Sequence, residues 1–258
     1  MVQPIPGPIG DLLAVLGYWN HILAGFVVTM WLFGLALTFG FGLGLLLSIA
    51  RQYGGALSSR VSTGYIELIR GTPLLVQLLI FYLLPFSINA FLEAQNLPFL
   101  PIGRWSFELN FMLANKDIRI ILLDYRTSMG LLTLSLNSGA YQAEYLRGAM
   151  GSVGSGQLAA AQSIGMSKRE GIIHIVLPQA LRRVIPSWSN EAAYLPKYTV
   201  IVYFIGVVEL FAKAHYIVTQ TFLTLWTYIV VAIIFLVLIT LLSRFFDYVH
   251  EKTKIPGL

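Results

Sequence analysis

The spacing of charges constrains this chain more than any other feature. No Asp, Glu, Lys or Arg occurs between Asp11 and Arg51, and Ile22 to Ala50 is almost wholly apolar. A run of that kind suffices for a helix to cross about 30 Å of hydrocarbon. The pattern recurs. Gly71 to Leu92 is free of charge, Thr127 to Ala143 is a shorter run with polar flanks, and Tyr216 to Ser243 is long and clean. Val184 to Val208 is apolar enough to span but carries Glu191, Pro196 and Lys197. Five membrane spans are therefore expected. Composition agrees: charged residues make up 11% of the chain, against about 25% in soluble domains.

The same composition excludes several classes. There is no cysteine, hence no disulfide framework and no thiolate metal or redox site. The net charge of +5 comes from basic residues lying between apolar runs, so it sets topology and does not point to nucleic acid. If the N-terminus is outside, 11 of the 17 Lys and Arg residues fall on inner segments and 5 on outer ones, with Lys197 inside a span. This bias favours an outside N-terminus. The opening "MVQPIPGPIG" lacks the basic region of a secretory signal. Residues 1–20 are read as an interfacial segment, 21–250 as the membrane domain and 251–258 as a cytoplasmic tail. Residues 86–126 form an outer loop and 147–183 a cytoplasmic one.

That cytoplasmic loop contains "QSIGMSKREGIIHIVLPQALRR", Gln162 to Arg183. Ser155 is placed to cap a helix through "GQLAAAQSI", and Gly165 sits where a helix end takes a left-handed residue. Ser167 and Glu170 have capping-box spacing. The second helix is expected to run through "KREGIIHIVL" and to end at Pro178. Ala159, Ala160 and Ala161 give the first helix a small face. Ile172, Ile173, Ile175 and Val176 give the second an apolar face with a basic rim. Such a patch is a partner surface or an interface-lying helix, and spacing alone leaves both open.

The loop resembles the coupling element of ATP-binding-cassette importer permeases: E-A-A, three residues, Gly, nine residues, I-x-L-P. Here the pattern is carried by Ala160-Ala161, Gly165 and Ile175-Val176-Leu177-Pro178, with Ala159 in place of the leading glutamate. "YIELIRGTPLLVQLLIFYLLP", "LNSGAYQAEYLRGAM", "LPQALRRVIPSWSNE" and "IGVVEL" resemble, in order, segments of the polar amino-acid permeases within this group. The usual "KDTS" is Lys197-Tyr198-Thr199-Val200 here, so an acid is missing, and the outer segment Phe86–Arg126 is longer than is common.

The resemblance implies an all-α type I importer permease fold that works by alternating access. It implies a second permease chain, identical or homologous, two ATPase subunits and an extracytoplasmic amino-acid-binding protein, with a polar amino acid as substrate. The ATPase contact would fall on Gln157, Ala159, Ala160, Ala161, Gly165, Met166, Ile172, Ile175 and Pro178. No cofactor is expected in this chain. ATP and Mg belong to the partner ATPase, and no P-loop G-x-x-x-x-G-K-[ST] occurs here, so the chain is not expected to be an enzyme.

Pathway candidates are the polar residues within the spans: Asn137, Tyr141 and Gln142 in the third, Asn190, Glu191, Lys197 and Tyr198 in the fourth. Polar groups at membrane depth face a cavity or a partner helix. Glu191 is either a structural partner of Lys197 or a contact for the α-amino or a cationic side-chain group of a bound amino acid. Pro196 predicts a kink or unwinding between them. Glu67 and Arg70, three apart, are expected to pair. Gly34, Gly40, Gly42 and Gly44 are expected to let the first span approach a neighbour. His174 is read as a surface residue, and no metal cluster is expected. An ion-coupled transporter or channel could use Glu191 and Lys197 but would not need the Gly165–Pro178 element. A membrane enzyme should gather titratable groups at one interface, and none gather here.

Overall fold

The computed structural model of the chain describes residues 7–98, 102 and 105–253. Residues 1–6 of the expected N-terminal segment and 254–258 of the expected tail lie outside that range. In chain order the helices are α1 (Pro8–Leu16), α2 (Trp19–Tyr53), α3 (Ala56–Arg70) and α4 (Leu74–Ala94). Strands β1 (Phe107–Leu113) and β2 (Lys116–Leu123) follow. Then come α5 (Tyr125–Val153), α6 (Ser155–Ser163), α7 (Lys168–Gly171), a π-helical turn at Ile172–Val176 and α8 (Leu177–Arg183). The chain closes with α9 (Ile185–Tyr198), a 3-10 segment at Thr199–Ile205, α10 (Leu210–Thr221) and α11 (Thr224–Thr253).

Among the described residues three helices are long and apolar enough to cross a membrane: α2, α4 and α11. The stretch from α9 to α10, bent by 57° at a short break, is a fourth candidate. Helix α5 spans 29 residues, but its Arg, Glu, Asn and Gln residues keep it below the same hydropathy threshold. It corresponds to the short third span of the sequence reading.

Two compact units make up the chain. One comprises Met1–Ala36, Pro73–Leu134 and Pro196–Leu238; the other comprises Leu37–Thr72, Ser135–Leu195 and Ile239–Leu258. In the first, Val15, Ile217 and Val230 form a buried cluster backed by Leu12, Tyr18, Ile22 and Trp226. The start of α10 is held against α2. The Glu209 carboxylate caps α10 by accepting from the backbone N–H groups of Phe211 and Ala212, both at 2.8 Å. Leu210 N donates to Thr29 Oγ1 at 3.2 Å. A Cβ on Gly25 would lie 2.8 Å from Leu210 Cα, so only glycine permits this approach.

In the second unit α2 and α5 approach closely. A Cβ on Gly40 would meet Gln142 at 2.8 Å, and one on Gly44 would meet Ala143 N at 2.9 Å. Gly40 and Gly44 are thus the small residues that let two backbones touch. A Cβ built on Gly34 or Gly42 would meet nothing within 4 Å, so neither position requires glycine for a close helix approach. The expected Glu67–Arg70 pair is also absent. Glu67 lies 3.9 Å from Arg51, while Arg70 stands over the Tyr141 ring at 5.1 Å. Arg51 donates to Glu144 at 2.8 Å, and Arg147 pairs with the other oxygen of that carboxylate.

The helical expectation has one departure. Residues 107–123 form an antiparallel hairpin turning at Ala114 and Asn115, both with positive φ.

Candidate functional site: a coupling corner and a polar seam

The corner is built as its sequence dictates. Met166 N donates to Ala161 O at 3.1 Å and Gly165 N to Gln162 O at 3.0 Å, with Gly165 at φ +94°. This is the two-bond ending that closes a helix on a left-handed residue. Ser167 then starts the next helix. Its hydroxyl accepts from Glu170 N at 3.3 Å, and the Glu170 carboxylate accepts from Ser167 N at 2.8 Å. The bond from Ser167 N, and a second from the Ser167 hydroxyl to the same oxygen at 2.7 Å, hold the Glu170 carboxyl below the usual carboxylate range. α6 and α7 meet at Gly171, where a Cβ would lie 2.7 Å from Leu158 Cδ1. Gly171 was not singled out in the sequence, because a glycine inside a short helix gives no local signal of what crosses it.

Two local expectations are corrected. Gly154, at φ +85° and without a side-chain bond, occupies the cap position before α6, so Ser155 is the first helical residue and not the cap. Pro178 does not end the helix. The turn before it widens to π geometry over Ile172–Val176, and Pro178 sits near the start of α8, where its missing N–H is tolerated.

The apolar face of the corner is divided. Val176 is fully buried with Ala180 and Val184 against Leu146, Met150 and Val153 of α5, and Ile172 is also buried. Ile175 and Met166 are half-buried. The outward apolar groups are instead Ile164, 80% exposed, and Ile173, 45% exposed. Gln157, Ala159, Ala160, Gly165 and Pro178 are exposed, whereas Ala161 is buried. His174 is exposed, as expected. Lys168 Nζ donates to Tyr53 O at the end of α2 at 2.8 Å, and Arg183 bonds Ser152 O at the end of α5. The corner is therefore keyed to two long helices by its core face and by two cations.

Above it within the same unit runs a seam of buried polar groups. Glu191, 3% exposed, accepts from Ser138 Oγ at 2.6 Å. Gln142 Nε2 donates to Ser138 Oγ at 2.9 Å and to Leu37 O at 3.1 Å. Trp188 Nε1 donates to Gln142 Oε1 at 2.6 Å, with its ring edge-on to Phe41 and Phe246. The structure thus brings Glu191 and Gln142 together through Ser138, which the sequence reading did not include. A serine one turn before a glutamine, inside an apolar run, was the available signal. Asn137 is buried and Tyr141 half-buried beneath Arg70.

α9 continues through Pro196 to Tyr198 before tightening to 3-10 geometry, so the expected unwinding begins after Lys197 and not at the proline. Along α9, Asn190, Tyr194, Lys197 and Tyr198 are exposed, while Glu191, Ala192 and Leu195 are buried. The exposed four recur at i, i+4, i+7 and i+8, one face of a helix. Among the described residues no group of three or more His, Asp or Glu could hold a metal ion.

Long apolar helices, a glycine corner seated on the ends of α2 and α5 and a buried polar seam in the same unit are the features of a membrane transport subunit. The chain belongs to the family of binding-protein-dependent transport system inner membrane components, whose pattern matches residues 36–255. It is an inner-membrane permease of this class. The Glutamine transport system permease protein GlnP of Escherichia coli (strain K12) is 32% identical over 91% of this chain and 93% of that protein. The L-cystine transport system permease protein TcyL of Bacillus subtilis (strain 168) is 30% identical over 88% of this chain and 84% of that protein. Among solved structures, an amino acid ABC transporter crystallised with histidines superposes with a TM-score of 0.72, 27% identity and coverage of 96% of this chain and 100% of that one. The MetNI methionine ABC transporter shares the fold at a TM-score of 0.61 and 16% identity, over 97% of this chain and 100% of that one.

Proposed function

We propose that this chain is the membrane-spanning subunit of an ATP-driven importer of polar amino acids. The observation that carries the proposal is the corner at Gly165: a left-handed glycine ending and a capping box that hold Ile164 and Ile173 outward from a rigid base. A partner pressing on that surface moves α5 and α2, because Val176, Lys168 and Arg183 tie the corner to them. In this reading the amino terminus is outside, α5 completes five spans and the corner is cytosolic. A second permease chain, two ATPase subunits and an extracytoplasmic binding protein complete the machine. ATP and Mg bind in the ATPase, and this chain itself is not an enzyme.

ATP can drive transport only if its binding favours one conformation over the other. The exposed stripe of α9, with Asn190, Tyr194, Lys197 and Tyr198, supplies the polar pathway surface in this account. Glu191 lies on the buried side of α9 and is joined to Gln142 through Ser138; Asn137 and Tyr141 on α5 complete the candidates. The relatives named for glutamine and cystine transport support a polar amino acid. Tyr198 in place of the usual acid argues for a range wider than cationic amino acids. The test is purification of the complex: an ATPase subunit should accompany the chain and be lost when the Gly165 corner is deformed. Transport that persists without any ATPase would favour an ion-coupled carrier.

A further inference from the structure

The hairpin of β1 and β2 has an apolar face wider than the protein beneath it. Strand pairing sets Leu109 opposite Ile120 and Phe111 opposite Ile118, so these four side chains share one face. The β2 half is packed, with Ile118 and Ile120 each 2% exposed; the β1 half is open, with Leu109 at 41% and Phe111 at 45%. Trp105, Phe107 and Leu113 extend the open half and are also exposed. The opposite face carries Glu108, Asn110, Asp117 and Arg119, together with Met112 and Ile121. Arg119 binds Glu108 through two bonds, at 2.7 and 2.9 Å, beside Asn110 and Asp117.

The hairpin lies level with the ends of the membrane helices. Its tip is fixed to the start of α2: Asn20 Nδ2 donates to Asp117 O at 3.2 Å, and Lys116 bonds Gly17 O and stands over the Trp19 ring. At its base β2 leads directly into α5, while twelve residues separate α4 from β1. α4 is itself a span candidate with only 11% of its apolar window buried, and Phe86 and Phe91 near its end are exposed. Trp105, just before β1, lines one cleft with Tyr82 and Phe86 of α4, which joins the apolar strip of β1 to the exposed apolar side of that helix. The strip looks the same way as Ile118 and Ile120, past the edge of the unit.

We propose that β1 is an interfacial anchor, lying in the headgroup and upper acyl region of the outer leaflet with Leu109 and Phe111 in lipid and Asn110 in water. This rests on the permease topology given above. An amphipathic element with aromatic side chains on one face partitions to that depth. The chain has no cysteine, so single-cysteine spin labels report one site each. Leu109→Cys, Phe111→Cys, Asn110→Cys and, in the exposed apolar part of α11, Ile233→Cys are placed in the assembled complex in phosphatidylcholine nanodiscs. Collisions with oxygen, which concentrates in lipid, are compared with collisions with a water-soluble nickel chelate.

The expected result is a severalfold preference for oxygen at positions 109, 111 and 233, and the reverse at 110. If 109 and 111 prefer nickel while 233 prefers oxygen, the hairpin stands in water and the proposal is overturned with the topology intact. If 109 and 111 are shielded from both reagents, a second copy or a binding protein covers the strip, and the lipid proposal is again overturned. Loss of the oxygen preference at 233 overturns the membrane topology and this proposal together.

Discussion

Replacing Gly165 with valine isolates the backbone from everything else at the corner. A Cβ built there has nothing within 4 Å, so the added side chain meets no steric obstacle. The cost comes from φ at +94°, a region that β-branched residues avoid. Strain of this kind is worth roughly 1–3 kcal/mol. If the valine corner relaxes to another shape when free and must return to this one to dock, that strain converts to a loss of about 5- to 150-fold in ATPase affinity. Gly165→Asn is the internal control, since asparagine enters the left-handed region more cheaply. The assay is titration of the purified permease, in detergent or nanodiscs, with its ATPase. The expected order of affinity is Gly, then Asn, then Val, with unchanged membrane insertion for all three. Equal affinity for Gly and Val would refute the reasoning, because it would mean that the left-handed ending is not part of the docked surface.

Further outcomes follow from other contacts. Ile164→Ser and Ile173→Ser should weaken ATPase binding, as measured by copurification, whereas Val176→Ala should lower thermal stability by leaving a cavity in the core of the second unit. Gly44→Leu should prevent α2 and α5 from meeting and abolish folded material on size-exclusion chromatography. Glu191→Gln should cut amino-acid uptake by the reconstituted complex while assembly and basal ATP hydrolysis persist; unchanged uptake would assign the carboxylate a structural role alone. For topology, Ser167→Cys should label from the cytosolic side and Asn115→Cys from outside. The capping box also carries a pH signature. Because hydrogen bonds from Ser167 depress the Glu170 carboxyl, its support for α7 is complete above the ordinary value of about 4.3 and disappears as pH falls through the depressed one. Hydrogen exchange at the start of α7 should accelerate on acidification, and Glu170→Gln should flatten that dependence.

Much of this architecture was legible in the sequence, because lipid imposes simple rules. Charge-free runs located α2, α4 and α11, and the Ser167–Glu170 spacing located the corner. Gly165 was legible because a left-handed helix end demands glycine. What escaped has physical reasons too. Pro178 suggests a helix end, but a π turn can absorb a missing backbone bond before it. Glu67 and Arg70 have pairing distance on one helix, yet Arg51 and Tyr141 approach from other helices and compete for them. The hairpin alternates polar and apolar residues in "FELNF" and "DIRII", but its turn at Ala114-Asn115 lacks the glycine that usually announces one. Glu191 was visible as an acid in a span; that Ser138 and Gln142 form a seam with it required the third dimension.

The account stands or falls on what powers movement of the substrate. The complex of this permease with its ATPase is reconstituted in proteoliposomes, with the ATPase on the lumenal side and the binding protein outside, and accumulation of a labelled polar amino acid is measured while ATP is enclosed or withheld. The expected result is concentrative transport toward the ATPase side only with ATP, insensitive to collapse of ion gradients. Accumulation driven by a sodium or proton gradient in vesicles containing the permease alone would contradict it.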